Sequence, residues 1–207
     1  GSEAFADYLS KRDNILWVAK HGTNVLDGVK PPQVLQGSDR VGCADVPVDH
    51  DGRARRYMLV MGEGDRLCPS LAYLAAARLL SPRGQSIGFD EKQPGKVQFG
   101  ERHIALARAN EGPYVDEDVR GFQVHLQLAR PAGAPYTLGA LLDGKIPAGA
   151  LRDKVVFVGS DAISLRDSFA VPARSFFSAG SIPGVTLHAM ATAELLDAAR
   201  SEERRVG

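Results

Sequence analysis

Three kinds of hydrophobic pattern recur along this chain, and each predicts a different element. Unbroken apolar runs come first: Ile15, Leu16, Trp17, Val18 and Ala19, then Val155, Val156, Phe157 and Val158. Both are too short for a buried helix and rich in β-branched or aromatic residues, so both predict strands covered on two faces. Stripes at helical spacing form the second kind. Residues 3–12 place Phe5, Tyr8 and Leu9 on one face. A helix starts at Pro69, the favoured first position, with Leu71, Leu74, Ala75, Arg78 and Leu79 on its apolar side, and ends before Pro82. Residues 136–143 make a short helix stopped by Gly144. Pro183 and Gly184 introduce a last helix, residues 185–200, with Ala189, Ala193 and Leu196 as its stripe. The third kind is two-residue alternation. Phe122, Val124, Leu126 and Leu128 alternate with Gln123, His125 and Gln127, which predicts a half-exposed strand.

Breakers divide these elements. Gly22, Gly28, Pro31 and Pro32 make residues 21–36 a loop. A short strand over 40–45 and a returning strand over 57–61 flank Asp51-Gly52, a good hairpin signal. Residues 96–99 and 103–106 predict two short strands joined at Gly100-Glu101. The whole reads as an α/β domain: a mixed, mainly parallel-type sheet flanked by helices, with a β-hairpin and a meander inserted. Residues 15–19 and 155–158 are expected in one sheet. That places Gly159, Ser160 and Asp161 at the carboxyl end of a buried strand, where open α/β sheets bind ligands. Residues 159–184 read as one long polar loop.

Composition narrows the function. Lys plus Arg equals 25 and Asp plus Glu equals 25, a balance unlike the basic excess of a nucleic-acid binder or a polybasic membrane-surface module. No window holds the roughly 18 uninterrupted apolar residues of a membrane span. Gly1-Ser2 reads as an expression remnant. Cys43 and Cys68 lack metal spacing such as CxxC. They read as two small free residues, with a single bridge as the alternative that an oxidising compartment permits. Arg53, Arg55 and Arg56 read as solvated edge charges, with an anion site as the alternative. Asp116, Glu117 and Asp118 read as a solvated loop.

Chemistry is sparse. No G-x-S-x-G elbow, P-loop or HExxH occurs, and Ser160 has no identifiable base or oxyanion partner. The stronger constellation is Asp161, Asp167 and His188. Two carboxylates and an imidazole can hold a divalent ion, polarise a ligand or titrate. They equally serve as internal supports of an irregular loop. Gly159, Ser160, Asp161, Asp167 and His188 are therefore the candidate ligand-binding residues. No catalytic residue, no cofactor and no metal site is predicted.

A family resemblance adds to this reading. The pattern K-VVFVG-SDA-x4-D-x4-P, followed by PGVTLHA and an apolar helix, resembles the C-terminal part of a CHASE2 domain. The segment G-x-ADVPVDHDG-x-ARR, followed by CPSLAYLAAARLL, resembles the centre of that family, where a D-x-DG-x-xR hairpin precedes a PSLAL-type helix. Phe5, Ala6, Leu9 and Asn14 are similar to an earlier helix–strand unit. Asp51, Gly52, Pro69, Pro172, Pro183 and Gly184 fall on structural signature positions, as do Asp167 and His188. The segment 174–181 is longer than the family pattern.

The resemblance implies one sensor domain over residues 3–200 with its N-terminal strand–helix part missing, and a tail, 201–207, leading toward a membrane span. It implies the extracytoplasmic input module of a bacterial membrane receptor, periplasmic or extracellular, anchored through flanking spans and homodimeric. The stimulus is an unidentified small molecule or environmental signal. The expected output is a nucleotide cyclase, a histidine or serine/threonine kinase, or a diguanylate cyclase. Two alternatives stand beside it: an independent soluble hydrolase using Ser160 and His188, and a dimerisation module without a small ligand.

Overall fold

The computed structural model describes residues 2–21, 28–63, 66–85, 87–89, 92–100, 102–112, 114–127, 135–172 and 180–200. Gly22, Glu101, Leu128 and the tail 201–207 fall outside them. Among the described residues the chain is mixed α/β, with four small sheets of which only one is parallel.

The N-terminal helix α1 (Ser2–Ser10) leads to strand β1 (Trp17–Ala19). Leu9 is buried, while Phe5 meets the Trp17 ring edge-on at 5.9 Å. Arg40 donates to the carbonyls of Leu9 at 2.7 Å and of Arg12, which ties the end of α1 down. Strand β2 (Val41–Cys43) pairs with β1 in parallel, in the register Trp17 to Val41. Strand β3 (Arg56–Glu63) and strand β4 (Arg66–Pro69) are antiparallel neighbours. Helix α2 (Leu71–Leu80) follows at once, its first turn capped by the Ser70 hydroxyl, which accepts from Tyr73 N–H. The meander is β5 (Ile87–Phe89), β6 (Lys96–Phe99) and β7 (Arg102–Ala105), all antiparallel. Strand β8 (Phe122–His125) returns to the other edge of β3. Helix α3 (Leu138–Leu142) is a single capped turn that buries nothing. Strands β9 (Ser168–Ala170) and β10 (Ser181–Pro183) pair antiparallel, and helix α4 (Gly184–Arg200) closes the described chain.

The core lies between α2, α4, β3 and the meander. Tyr57, Leu59, Ala72, Ala76, Leu80, Val97 and Phe99 pack there with Ala191, Leu195 and Ala199 of α4. Alanines on both helices let their backbones approach closely, and this buries the α2–α4 seam. A second cluster, Ala54, Val171, Ile182, Leu187 and Met190, seats the β9–β10 pair against α4.

Several expectations are corrected here. The sheet is not mainly parallel; the antiparallel hairpin and meander dominate. Val155, Val156, Phe157 and Val158 form no strand: Val158 is 90% exposed and Val156 47%. An apolar run becomes a strand only when a neighbouring strand takes its backbone groups, and no strand of the described residues flanks this one. It therefore shares no sheet with β1, whose residues are themselves only half-buried. The turn at Asp51-Gly52 forms, with Gly52 at φ 78°, but its flanking strands enter different sheets. The β-hairpin is β3–β4 instead. Pro69 ends β4 rather than starting α2. Pro183 likewise ends β10. Residues 159–184 are no unbroken loop, since β9 and β10 lie within them. The buried stripe of α4 is Leu187, Met190, Ala191, Leu195 and Ala199, whereas Ala193 is exposed.

Candidate functional site

The region around the first turn of α4 gathers most of the residues singled out above. Gly159 approaches it closely: a Cβ there would lie 2.6 Å from Val185 Cβ. Gly159 therefore belongs to the packing of an irregular segment on the helix, not to the end of a strand. The Ser160 hydroxyl accepts from Ala162 N–H at 3.1 Å, which makes it a local turn support. Asp161 is exposed. Asp167 is exposed as well, but its carboxylate lies against Gly184: a Cβ at 184 would sit 2.6 Å from Asp167 Oδ2. The backbone reinforces this contact, because Gly184 N–H donates to Asp167 O at 2.9 Å. Only glycine leaves the space that the carboxylate occupies at the helix start.

One turn further on, His188 is buried. Its Nδ1 lies 2.6 Å from the Tyr57 hydroxyl on β3, and the two rings meet edge to face. Burial holds the imidazole down to about 4, against the opposing pull of the Asp167 and Asp45 carboxylates and with the help of Lys20. A neutral Nδ1 can accept a hydrogen bond from the phenol, and burial raises the Tyr57 hydroxyl well above its ordinary value. The Thr192 hydroxyl donates to His188 O at 2.9 Å. His188 thus joins α4 to the core strand, and its hydrogen-bonding partner is Tyr57. Asp167 reaches the same helix one turn earlier, at Gly184. Pro172 is half-buried just beyond β9.

A second polar node was missed by sequence reasoning. Arg56 is 1% exposed. Its guanidinium donates to Asp49 Oδ1 at 2.9 Å, Glu117 Oε1 at 2.7 Å, Gln123 Oε1 at 2.7 Å and the Asp118 carbonyl at 2.8 Å. The Tyr114 ring lies 5.5 Å from its Cζ. Arg56 is no solvated edge charge, and Glu117 is no solvated loop residue. Gln123, expected on the open face of its strand, is buried for the same reason. Arg55 instead turns to Asp49 at 2.8 Å and to Asp51 at 2.8 and 2.5 Å, which holds the Asp51 carboxyl down to about 2. Arg53 donates to the Val171 carbonyl at 2.7 Å. The three arginines are thereby consumed by internal partners. The adjacent Asp49 and the acidic run at 116–118 were the available signals, but nothing in the pattern linked them across 61 positions.

Cys43 and Cys68 are bonded to each other, with Cα atoms 5.9 Å apart. The free-cysteine reading is corrected: the bridge pins β2 of the parallel pair to β4 of the central sheet. Beside it lie His21 and Asp45. Among the described residues, no buried side-chain nitrogen or oxygen lacks a hydrogen-bond partner.

These features define a mixed α/β domain in which Asp167 braces the start of α4 and Asp51 a turn. The CHASE2 domain model matches residues 2–206, and this chain belongs to that family. Domains of this family are extracytoplasmic sensor parts of membrane receptors. No curated protein matches the chain, and no solved structure does. Among the described residues, no helix is long and apolar enough to cross a membrane.

Proposed function

We propose that this CHASE2 domain receives its stimulus at the surface formed by Gly159, Ser160, Asp161 and Asp167 over the first turn of α4, and that α4 passes the change on. One observation carries the reading. Gly159 lies closely against Val185 and Asp167 against Gly184, and His188 one turn later is locked to Tyr57 in the core. A stimulus that displaces the exposed segment therefore acts on the same helix that packs along α2 and the central sheet. In physical terms, a ligand that prefers one of two placements of this segment shifts their populations by its differential affinity. The resemblance to the family makes a cyclase or a kinase the expected output, across a membrane that the receptor spans outside these residues.

Catalysis within the domain is not part of this reading. Ser160 is engaged with Ala162 N–H, and His188 is buried with Nδ1 against Tyr57. A hydrolase needs that hydroxyl and an imidazole poised together at an open site.

The test is Asp167→Ala in the full-length receptor, with output measured beside a thermal melt. Asp167 is exposed, so the variant is expected to melt close to the wild type while its stimulus response changes. Unchanged output from the folded variant removes the segment 159–167 from signalling. Ester or amide turnover that disappears in Ser160→Ala would establish the enzyme instead.

A further inference from the structure

The disulfide has a neighbourhood that its structural role does not require. His21 stands two residues past the end of β1, and Cys43 and Asp45 stand on and just beyond β2. The parallel pairing of these strands, extended by Ala44 N–H donating to Ala19 O at 2.8 Å, brings the three together. His21 Nδ1 lies 3.4 Å from Cys43 Sγ and 3.5 Å from Asp45 Oδ2. All three donor atoms fall within 4.8 Å of one another. The His21 backbone N–H donates to Asp45 Oδ2 at 3.1 Å, which fixes that carboxylate beside the ring.

A tetrahedral zinc ion, with bonds of about 2.0–2.3 Å to N, O and S, sets its ligand atoms about 3.3–3.6 Å apart. The two distances from the imidazole already match that spacing. One thiolate, one imidazole and one carboxylate also suit zinc better than magnesium or calcium, which take oxygen ligands. The cluster opens to solvent through His21, whose side chain is 56% exposed, so an ion has a way in. While the Cys43–Cys68 bond stands, the sulfur is committed to it and cannot ligate.

We propose that reduction of Cys43–Cys68 uncovers a zinc site made of His21 Nδ1, Cys43 Sγ and Asp45 Oδ2, with the fourth position left to solvent. The reductant is a dithiol. One of its thiolates attacks Sγ of Cys68, the less buried of the two residues, and Cys43 leaves as thiolate. The second thiol of the reductant then attacks its own sulfur in the mixed disulfide and releases Cys68. Two electrons pass from dithiol to disulfide, the reductant ends as a disulfide, and its two protons end on the cysteines. Zinc then displaces the proton of Cys43. The two states are exclusive: one joins β2 to β4, the other joins β1 to β2 through the ion. The inference is independent of the proposed stimulus surface at α4.

Cys68→Ser tests it without any reductant, because Cys43 is then free. Cobalt(II) is the probe, since thiolate ligation gives a charge-transfer band and tetrahedral geometry gives strong visible bands. Cys68→Ser is expected to bind one cobalt with both signatures and to lose the colour on adding zinc. The oxidised wild type is expected to show neither. Adding His21→Ala or Asp45→Ala to Cys68→Ser should lower the affinity by about tenfold or more. If Cys68→Ser does not fold, the wild type reduced with a phosphine serves as the second arm, with circular dichroism reporting the fold. Absence of the thiolate band in a folded, reduced protein overturns the proposal. So does an affinity that ignores both His21 and Asp45.

Discussion

Arg56 shows how one residue can organise two distant segments. Its side chain is enclosed by Asp49, Glu117 and Gln123. Arg56→Met would strip the guanidinium from two buried carboxylates. Breaking a buried pair from one side costs about 3–5 kcal/mol, and denaturant unfolding should show a loss of that order. His188 adds a pH dependence. Its ordinary value is 6.5 and burial lowers it to about 4 in the folded protein. Above pH 6.5 the ring is neutral in both states, and its contribution to stability is complete. As pH falls from 6.5 toward 4, the unfolded chain takes up a proton that the folded chain refuses. Stability should decline over that window by up to about 3 kcal/mol. Melts across pH 4–7 check it, with His188→Gln flattening that part of the profile. At this scale the sequence was only partly legible. Arg55 and Asp51 stand in a recognisable turn pattern, and they pair. Arg56 stands beside them unmarked, because burial of a charge depends on partners that only the folded topology supplies.

Elements were read best where local chemistry decides them. Helices α1, α2 and α4 and strands β6 and β8 lie close to where periodicity and breakers put them. The misreadings share one cause, which is that pairing is non-local. Residues 155–158 carry an ideal strand composition and lack a ladder, while β2 found β1 instead of the strand across its turn. The phase of α4 was misjudged because alanines read as a stripe until β9, β10 and α2 choose which face they cover. Packing at β2 gives a sharper forecast. A Cβ on Gly42 would lie 2.8 Å from Leu71 Cα, which is backbone and cannot swing away. Gly42→Ala should push β2 off the start of α2 and cost about 1–3 kcal/mol, as overpacking does. Thermal unfolding with the disulfide intact measures it, and an unchanged melt would show that the two elements are not closely seated.

Across the whole molecule, large apolar side chains stand exposed in several places, Leu67 and Val115 among them. Leu138, Leu142, Val158 and Leu165 are each more than half exposed, all within the stretch from α3 to the turn before β9. A contiguous exposed apolar patch marks a surface that associates, and this stretch is where we predict one. The isolated domain should show concentration-dependent association by sedimentation, weakened by Val158→Asp. Because Val158 is 90% exposed, that change leaves the core untouched, and a monomer at every concentration would count against the idea. The central sheet has a consequence of another kind. β3 holds its hairpin partner β4 on one edge and β8 on the other, in a register that sets Arg56 opposite His125. The hairpin can form early from a short stretch of chain. The second edge must wait until some distant segment closes a long loop, whose entropy has to be met before any contact rewards it. Refolding of this domain is therefore a search with a late step, and an Arg56 left bare during that wait is solvated and costs nothing. The same guanidinium becomes expensive only once β8 arrives, so the charge acts as a proof of correct closure: a wrong strand on that edge would bury it with Asp49 alone, without Glu117, Gln123 and the Asp118 carbonyl.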